Sequence, residues 1–193
     1  MRRYFIAIFI SLVGTGILAI GGIGVALALE NQDSFCASCH TEPETTFHQR
    51  SIQIKSPDLA AYHTKQNTHC IDCHTPSGLL GRASGLRQGV HDLANFIRGN
   101  YHSPAVTTNP LGDDACVKCH TKIYDRPPGS GKAGMNHYHF YLLQWKESST
   151  NAASCIDCHA PHALAQESLK FMNQGKVGQL CEDCHTALSG VIR

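Results

Sequence analysis

The chain has 193 residues, 42% of them hydrophobic but only 7% aromatic, with 17 glycines, 8 prolines and a formal net charge of +1. So few aromatics and so many chain breakers leave little material for an ordinary apolar core, and the length suits one domain or two small lobes. There is no basic patch or recognition motif for nucleic acid, which excludes that class of partner.

At the amino terminus, Arg2 and Arg3 precede residues 4–29, a run without a single charge. At about 1.5 Å of rise per residue, such a helix crosses a hydrocarbon layer of ~30 Å with some tilt. The run therefore predicts a single-pass anchor (residues 1–30) that contacts membrane lipid through residues 4–29. The two arginines keep the first residues in the cytoplasm and send residues 31–193 to the periplasmic or outer face. Ala26-Leu27-Ala28 resembles a cleavage site. A signal peptide's apolar core is usually about 7–15 residues, however, and this run is much longer, so an uncleaved anchor is expected. Gly14, Gly16, Gly21, Gly22 and Gly24 fit either close approach of a second membrane helix or a glycine-tolerant span.

Beyond the anchor, all ten cysteines fall in five copies of Cys-x-x-Cys-His. The pairs are Cys36 and Cys39, Cys70 and Cys73, Cys116 and Cys119, Cys155 and Cys158, and Cys181 and Cys184. The following histidines are His40, His74, His120, His159 and His185. This is the attachment signature of haem c: two thiols add to the vinyl groups of one porphyrin edge, and the adjacent imidazole takes one axial position on the iron. Structural zinc would need pairs that converge and would not need a histidine after each, and two-residue gaps make poor disulfide frameworks. The expectation is a pentahaem cytochrome c domain over residues 31–193, carrying five covalent haem c groups with iron.

The motifs are unevenly spaced, which argues against a solenoid of fixed repeat. Leu86, Val90, Leu93, Ile97 and Tyr101 form the stripe of an amphipathic helix, with His91 and Asp92 off it. A second helix is expected from near Asn136 through His139, Phe140, Leu142, Leu143 and Trp145. Residues 103–114 and the cluster Arg126-Pro127-Pro128-Gly129-Ser130-Gly131 read as loops. No strand pattern of useful length is present. The fold class expected is mainly α with much irregular structure, its core supplied by the haems. The haem propionates would add negative charge, and some of the lysines and arginines beyond the anchor are expected to pair with them.

Of 13 histidines, eight lie outside the motifs: His48, His63, His69, His91, His102, His137, His139 and His162. Five would give every iron two imidazoles. Such iron has a low reduction potential relative to His/Met ligation and no open position for substrate. The distal candidates are His63, His139 and His162, followed by His137, His102 and His48. His69 touches the second motif and is not expected to reach its own iron.

The anchor, the Phe35-Cys36-Ala37-Ser38-Cys39-His40 motif close behind it and the Cys70-Ile71-Asp72-Cys73-His74-Thr75-Pro76 segment together resemble the NapC/NirT/NrfH family of membrane-anchored multihaem cytochromes. His137-Tyr138-His139 followed by Cys155 to His159 adds to the likeness, which covers roughly residues 1–165. The resemblance implies a quinol dehydrogenase that relays electrons to a periplasmic reductase, with an acidic residue after the second motif, here Asp92, at the quinol site. Two features depart from the family. The fifth motif, Cys181 to His185, exceeds its usual four haems. Glu42 stands where the family's small anchored members often carry Met, leaving Glu42, Glu44 and His48 as alternatives for the first iron's sixth ligand.

Two functions follow. One is electron transfer between the membrane quinol pool and an extracytoplasmic redox protein. The other is conduction as a non-catalytic subunit of a larger respiratory or photosynthetic membrane complex, beside a membrane redox subunit. The residues do not decide whether the chain is itself an enzyme. Catalysis such as nitrite or hydroxylamine conversion would need an open iron, for which five regular motifs give no sign.

Overall fold

The computed structural model describes residues 2–39, 42–105, 110–125, 137–165 and 171–190. These residues are mostly helical and contain no strand. His40, Asn136 and the breaker cluster at 126–131 lie outside the described residues.

Helix α1, Arg2–Glu30, is long and apolar enough to cross a membrane and has no buried residue. It leads into α2, Asp33–Cys39, which carries the first motif. Next come α3, Glu44–Ser51, and α4, Leu59–Thr64. Asp58 caps α4, its Oδ1 accepting from the Ala61 N–H at 2.8 Å.

Two very short helices, α5 (Cys70–His74) and α9 (Cys155–Cys158), hold the second and fourth motifs. Both contain Cys-Ile-Asp-Cys, and both start in the same way. Asp72 accepts from the His69 N–H at 2.8 Å, and Asp157 accepts from the Ser154 N–H at 2.9 Å. The aspartate three residues into each helix thus turns back to close the first turn, where a negative charge is favoured.

Between them, α6 (Gly78–Ile97) follows the second motif. Its first turns lie against residues 75–76, an approach that requires glycine: a Cβ on Gly81 would sit 2.3 Å from the Pro76 carbonyl oxygen. The helix ends in a left-handed Gly99 (φ +69°), with Gly99 N–H bonded to Phe96 O at 3.0 Å and Asn100 N–H to Asn95 O at 2.9 Å. That is the paired ending glycine favours. It stops the helix before Tyr101, which the stripe had included. The glycine-mediated contact fixes which face meets the protein, leaving Leu79, Leu80, Val90, Leu93 and Ile97 exposed.

The remaining helices are α7 (Asp114–Val117), α8 (His137–Ser148) and α10 (Gln174–Ala187). The one buried apolar cluster among the described residues joins α8, α9 and α10: Trp145, Ala153 and Leu188, flanked by Tyr141, Leu142 and Leu180. Elsewhere among the described residues the only fully buried hydrophobic residue is Ala61. So small an apolar core cannot offset the ordering of this much chain by itself.

Candidate haem-binding sites

The cysteines meet in an ordered series. The Cys36 thiol is in hydrogen-bond contact with Cys70, and Cys116 with Cys155. These thiol–thiol bonds are the main reason that Cys36 is held below its ordinary pKa and Cys116 falls to about 7, while Cys70 and Cys155 are pushed up. Cys73 lies near Cys116 and Cys119, and Cys158 near Cys181 and Cys184. Hydrogen bonds tie the same neighbours: Lys118 Nζ donates to Thr75 O at 2.9 Å, and Asn173 N–H to Cys158 O at 2.7 Å. The motifs therefore follow one another in space in the order they follow in sequence.

A shared device sets the two thiol contacts. Asp33 lies three residues before Cys36, and its Oδ1 accepts from the Cys70 N–H at 2.9 Å. Asp113 lies three residues before Cys116, and its Oδ1 accepts from the Cys155 N–H at 2.7 Å. In each case a carboxylate upstream of one motif caps the helix of the next. Asp113 also pairs with Lys146 of α8, and Asp33 lies 3.6 Å from His69 Nδ1. Burial alone would raise the Asp113 carboxyl, but the Lys146 and Cys155 bonds outweigh it and hold it low. Asp33 and Asp113 were not singled out from the sequence, although their common offset was a usable signal.

Among the described residues the histidines form four pairs. Ring centroids lie 6.2 Å apart for His74 and His162, and 6.1 Å apart for His120 and His63, His159 and His139, and His185 and His137. Each pair joins the histidine of one motif to a histidine outside the motifs. Two imidazoles on opposite sides of a metal, with bonds of about 2 Å and roughly another 1 Å from nitrogen to ring centre, have centroids about 6 Å apart. Among the described residues no group of three or more His, Cys, Asp or Glu converges. Two opposed donors of this kind fit an iron whose other four positions are supplied by a porphyrin. Burial is the main reason that His63, His159 and His162 are held below the usual imidazole range, favouring the neutral form that binds metal.

Other candidates stand apart. His48 and His102 make no ring pair among the described residues, and His69 precedes α5. The loop carrying His102 is joined to the segment after the first motif by Ala105 N–H to Glu42 O, 2.7 Å. Glu42 accepts from Thr46 Oγ1 at 2.9 Å. Asp92 lies on the outer part of α6, where its carboxylate accepts from Gln88 at 2.8 Å. At the end of α1, a cleft of about 480 Å³ is lined by Asn31, Ile71, Pro76, Arg82 and Lys118.

Comparison with known proteins identifies the family. Residues 1–110 match the family described as NapC/NirT cytochrome c family, N-terminal region. Residues 149–190 match a doubled CXXCH motif. The chain is similar to a multiheme cytochrome, MtrA, of Shewanella baltica, at 26% identity across 80% of this chain and 43% of that protein, so it spans less than half of that relative. It is also similar to the tetraheme c-type cytochrome CymA of Shewanella oneidensis (25% identity, 74% of this chain, 83% of that one). A probable tetraheme cytochrome c-type of Nitrosomonas europaea is 26% identical over 75% of this chain and 62% of its own. No solved structure matches the chain.

Proposed function

Because the chain belongs to the NapC/NirT cytochrome c family and is a membrane multihaem c-type cytochrome, we propose that it conducts electrons through five haems, from the membrane quinol pool to an extracytoplasmic redox protein. Bound haem c supplies an iron that alternates between the ferric and ferrous states. The observation that carries the reading is the set of four histidine pairs on a spatially ordered series of motifs.

In this reading residues 1–30 anchor the chain and residues 31–193 form the haem domain, outside the cytoplasm by virtue of Arg2 and Arg3. The ten cysteines tether the porphyrins. His40, His74, His120, His159 and His185 hold the proximal positions. His162 is the distal ligand opposite His74, His63 opposite His120, His139 opposite His159 and His137 opposite His185. For the first iron the candidates are Glu42, Glu44, His48 and His102, on two segments joined by the Ala105–Glu42 bond. Two axial imidazoles would close the four paired irons to substrate, so these irons would pass electrons and leave bond chemistry to a partner.

Quinol would approach at the level of the cleft beside the end of α1. The conducting-subunit reading has one observation in its favour: Asp92, the family-like acid, is engaged with Gln88 on an exposed part of α6. Purified protein in liposomes separates the two. Menaquinol or ubiquinol analogues should reduce the haems without any other subunit, and reduction only when a second subunit is present would establish the conductor. Intact mass should show five added haems.

A further inference from the structure

His162 differs from the other three distal candidates in how it is carried. His63 lies on α4, and His137 and His139 on α8, so helical backbone restricts their rotamers. His162 lies in the irregular segment after α9, where no helix fixes its ring. Yet its plane is held within 16° of that of His74.

Two residues one turn apart on α3 account for this. The Phe47 ring lies flat on His162, with centroids 3.9 Å apart and planes 9° apart. At that separation the faces touch, and turning the imidazole about its metal-bound axis would drive its edge into Phe47. Arg50 Nη1 donates to the His162 carbonyl at 3.0 Å and to Asp58 Oδ2 at 3.4 Å. Its guanidinium carbon lies 5.7 Å from the Phe47 ring centre, within reach of a cation–π contact. Asp58 is 1% exposed and caps α4, which carries His63. Ala60 N–H to Pro161 O (3.0 Å) and Ala165 N–H to Pro57 O (2.6 Å) bind the two segments together.

We propose that Phe47 and Arg50 are positioning residues that set the imidazole plane of His162, and so the electronic character of the second haem. The inference rests on the ligand assignment above. The mutual angle of two axial imidazoles governs the splitting of the iron orbitals that accept their electrons. Nearly parallel rings give a rhombic low-spin ferric spectrum, and nearly perpendicular rings give a strongly anisotropic one at higher g. The pairs alternate in this respect: His74 with His162 at 16° and His159 with His139 at 7°, but His120 with His63 at 71° and His185 with His137 at 62°.

Low-temperature EPR of the full-length haem-loaded protein tests this. The unaltered protein should show two rhombic and two strongly anisotropic signals from these four irons. Phe47→Leu should move one rhombic signal to higher g without creating high-spin iron, and lower the precision of one potential in a redox titration, seen as a broadened step. Phe47→Tyr should restore the rhombic signal, and Arg50→Ala should shift the same signal while Arg50→Lys shifts it less. A Phe47→Leu spectrum identical to the parent overturns the proposal. Conversion of that signal to high-spin iron also overturns it, because Phe47 would then be needed for ligation and not for orientation. His162→Ala tests the ligand reading separately. It should turn one rhombic signal high-spin, and a spectrum with every low-spin signal intact would sink the assignment itself, whatever Phe47 does.

Discussion

The first and second motifs, with α2 and α5, form one unit, and the third and fourth, with α7 and α9, form another built on the same plan. In each, an aspartate three residues ahead of one cysteine pair caps the helix of the next, and the leading thiols meet. The support around them differs. The later unit leans on a packed cluster around Trp145, and Asp113 is braced by Lys146 from α8. Among the described residues the earlier unit has no such cluster, and its aspartate faces His69 at 3.6 Å. Its neighbourhood is held by polar clamps: Arg50 with Asp58, and Arg82 with Glu30 at 2.6 Å. A repeated attachment device thus tolerates different scaffolds, because the bulk it must enclose is the same porphyrin.

The broadest way to break the comparison is to withhold haem. Chain produced without haem attachment should lose most helical signal outside α1 and melt without cooperativity, the region of α8 to α10 keeping the most protection in hydrogen exchange. Equal protection of both units would show that the Trp145 cluster contributes nothing. Next in size, Trp145→Ala should cost about 3–5 kcal/mol, as deleting a large buried aromatic does. Thermal melts followed in the Soret band should show the change, with altered spectra for the fourth and fifth haems and not for the second.

Smaller effects probe the caps. Asp113→Asn should destabilise by about 2 kcal/mol, the scale of a hydrogen bond to a charged group, and Asp33→Asn by about half that. The first has a pH signature. The Asp113 carboxyl is held low in the folded chain. Its contribution is therefore complete above the ordinary carboxylate pKa and fades as pH falls through the lowered folded value. The gap between parent and Asp113→Asn melting temperatures should close on acidification and stay constant above neutrality. A gap that widens in acid would contradict this sign. Smallest of all, raising salt should leave the Lys176–Asp157 contact without measurable effect, because Lys176 is 60% exposed.

Much of this was readable from residue types. The anchor, the mainly helical class and the haem chemistry follow from local patterns, an uncharged run and five short motifs. The partnership of imidazoles did not follow, because it is a property of chain path. His162 meets His74 only because residues 57–60 bond to residues 161–165, and no periodicity reports such a crossing. The stripe on α6 was visible, but its direction was not. Gly81 and Gly85 decide which side approaches the protein, and they do so through what they lack. Phe47, Arg50 and Asp58 carried no motif at all.

The position of His162 bears on how the molecule is made. Under the proposed ligation and orientation, three of the paired distal histidines precede the motif they serve, so each would wait in place when its cysteines emerged across the membrane. His162 comes long after His74. During export the second porphyrin would therefore be fastened while its other axial place was still open to water or a borrowed side chain, and maturation of that centre would finish only after the fourth motif had crossed. A chain stalled between these points should be trapped as a reactive, incompletely wired precursor.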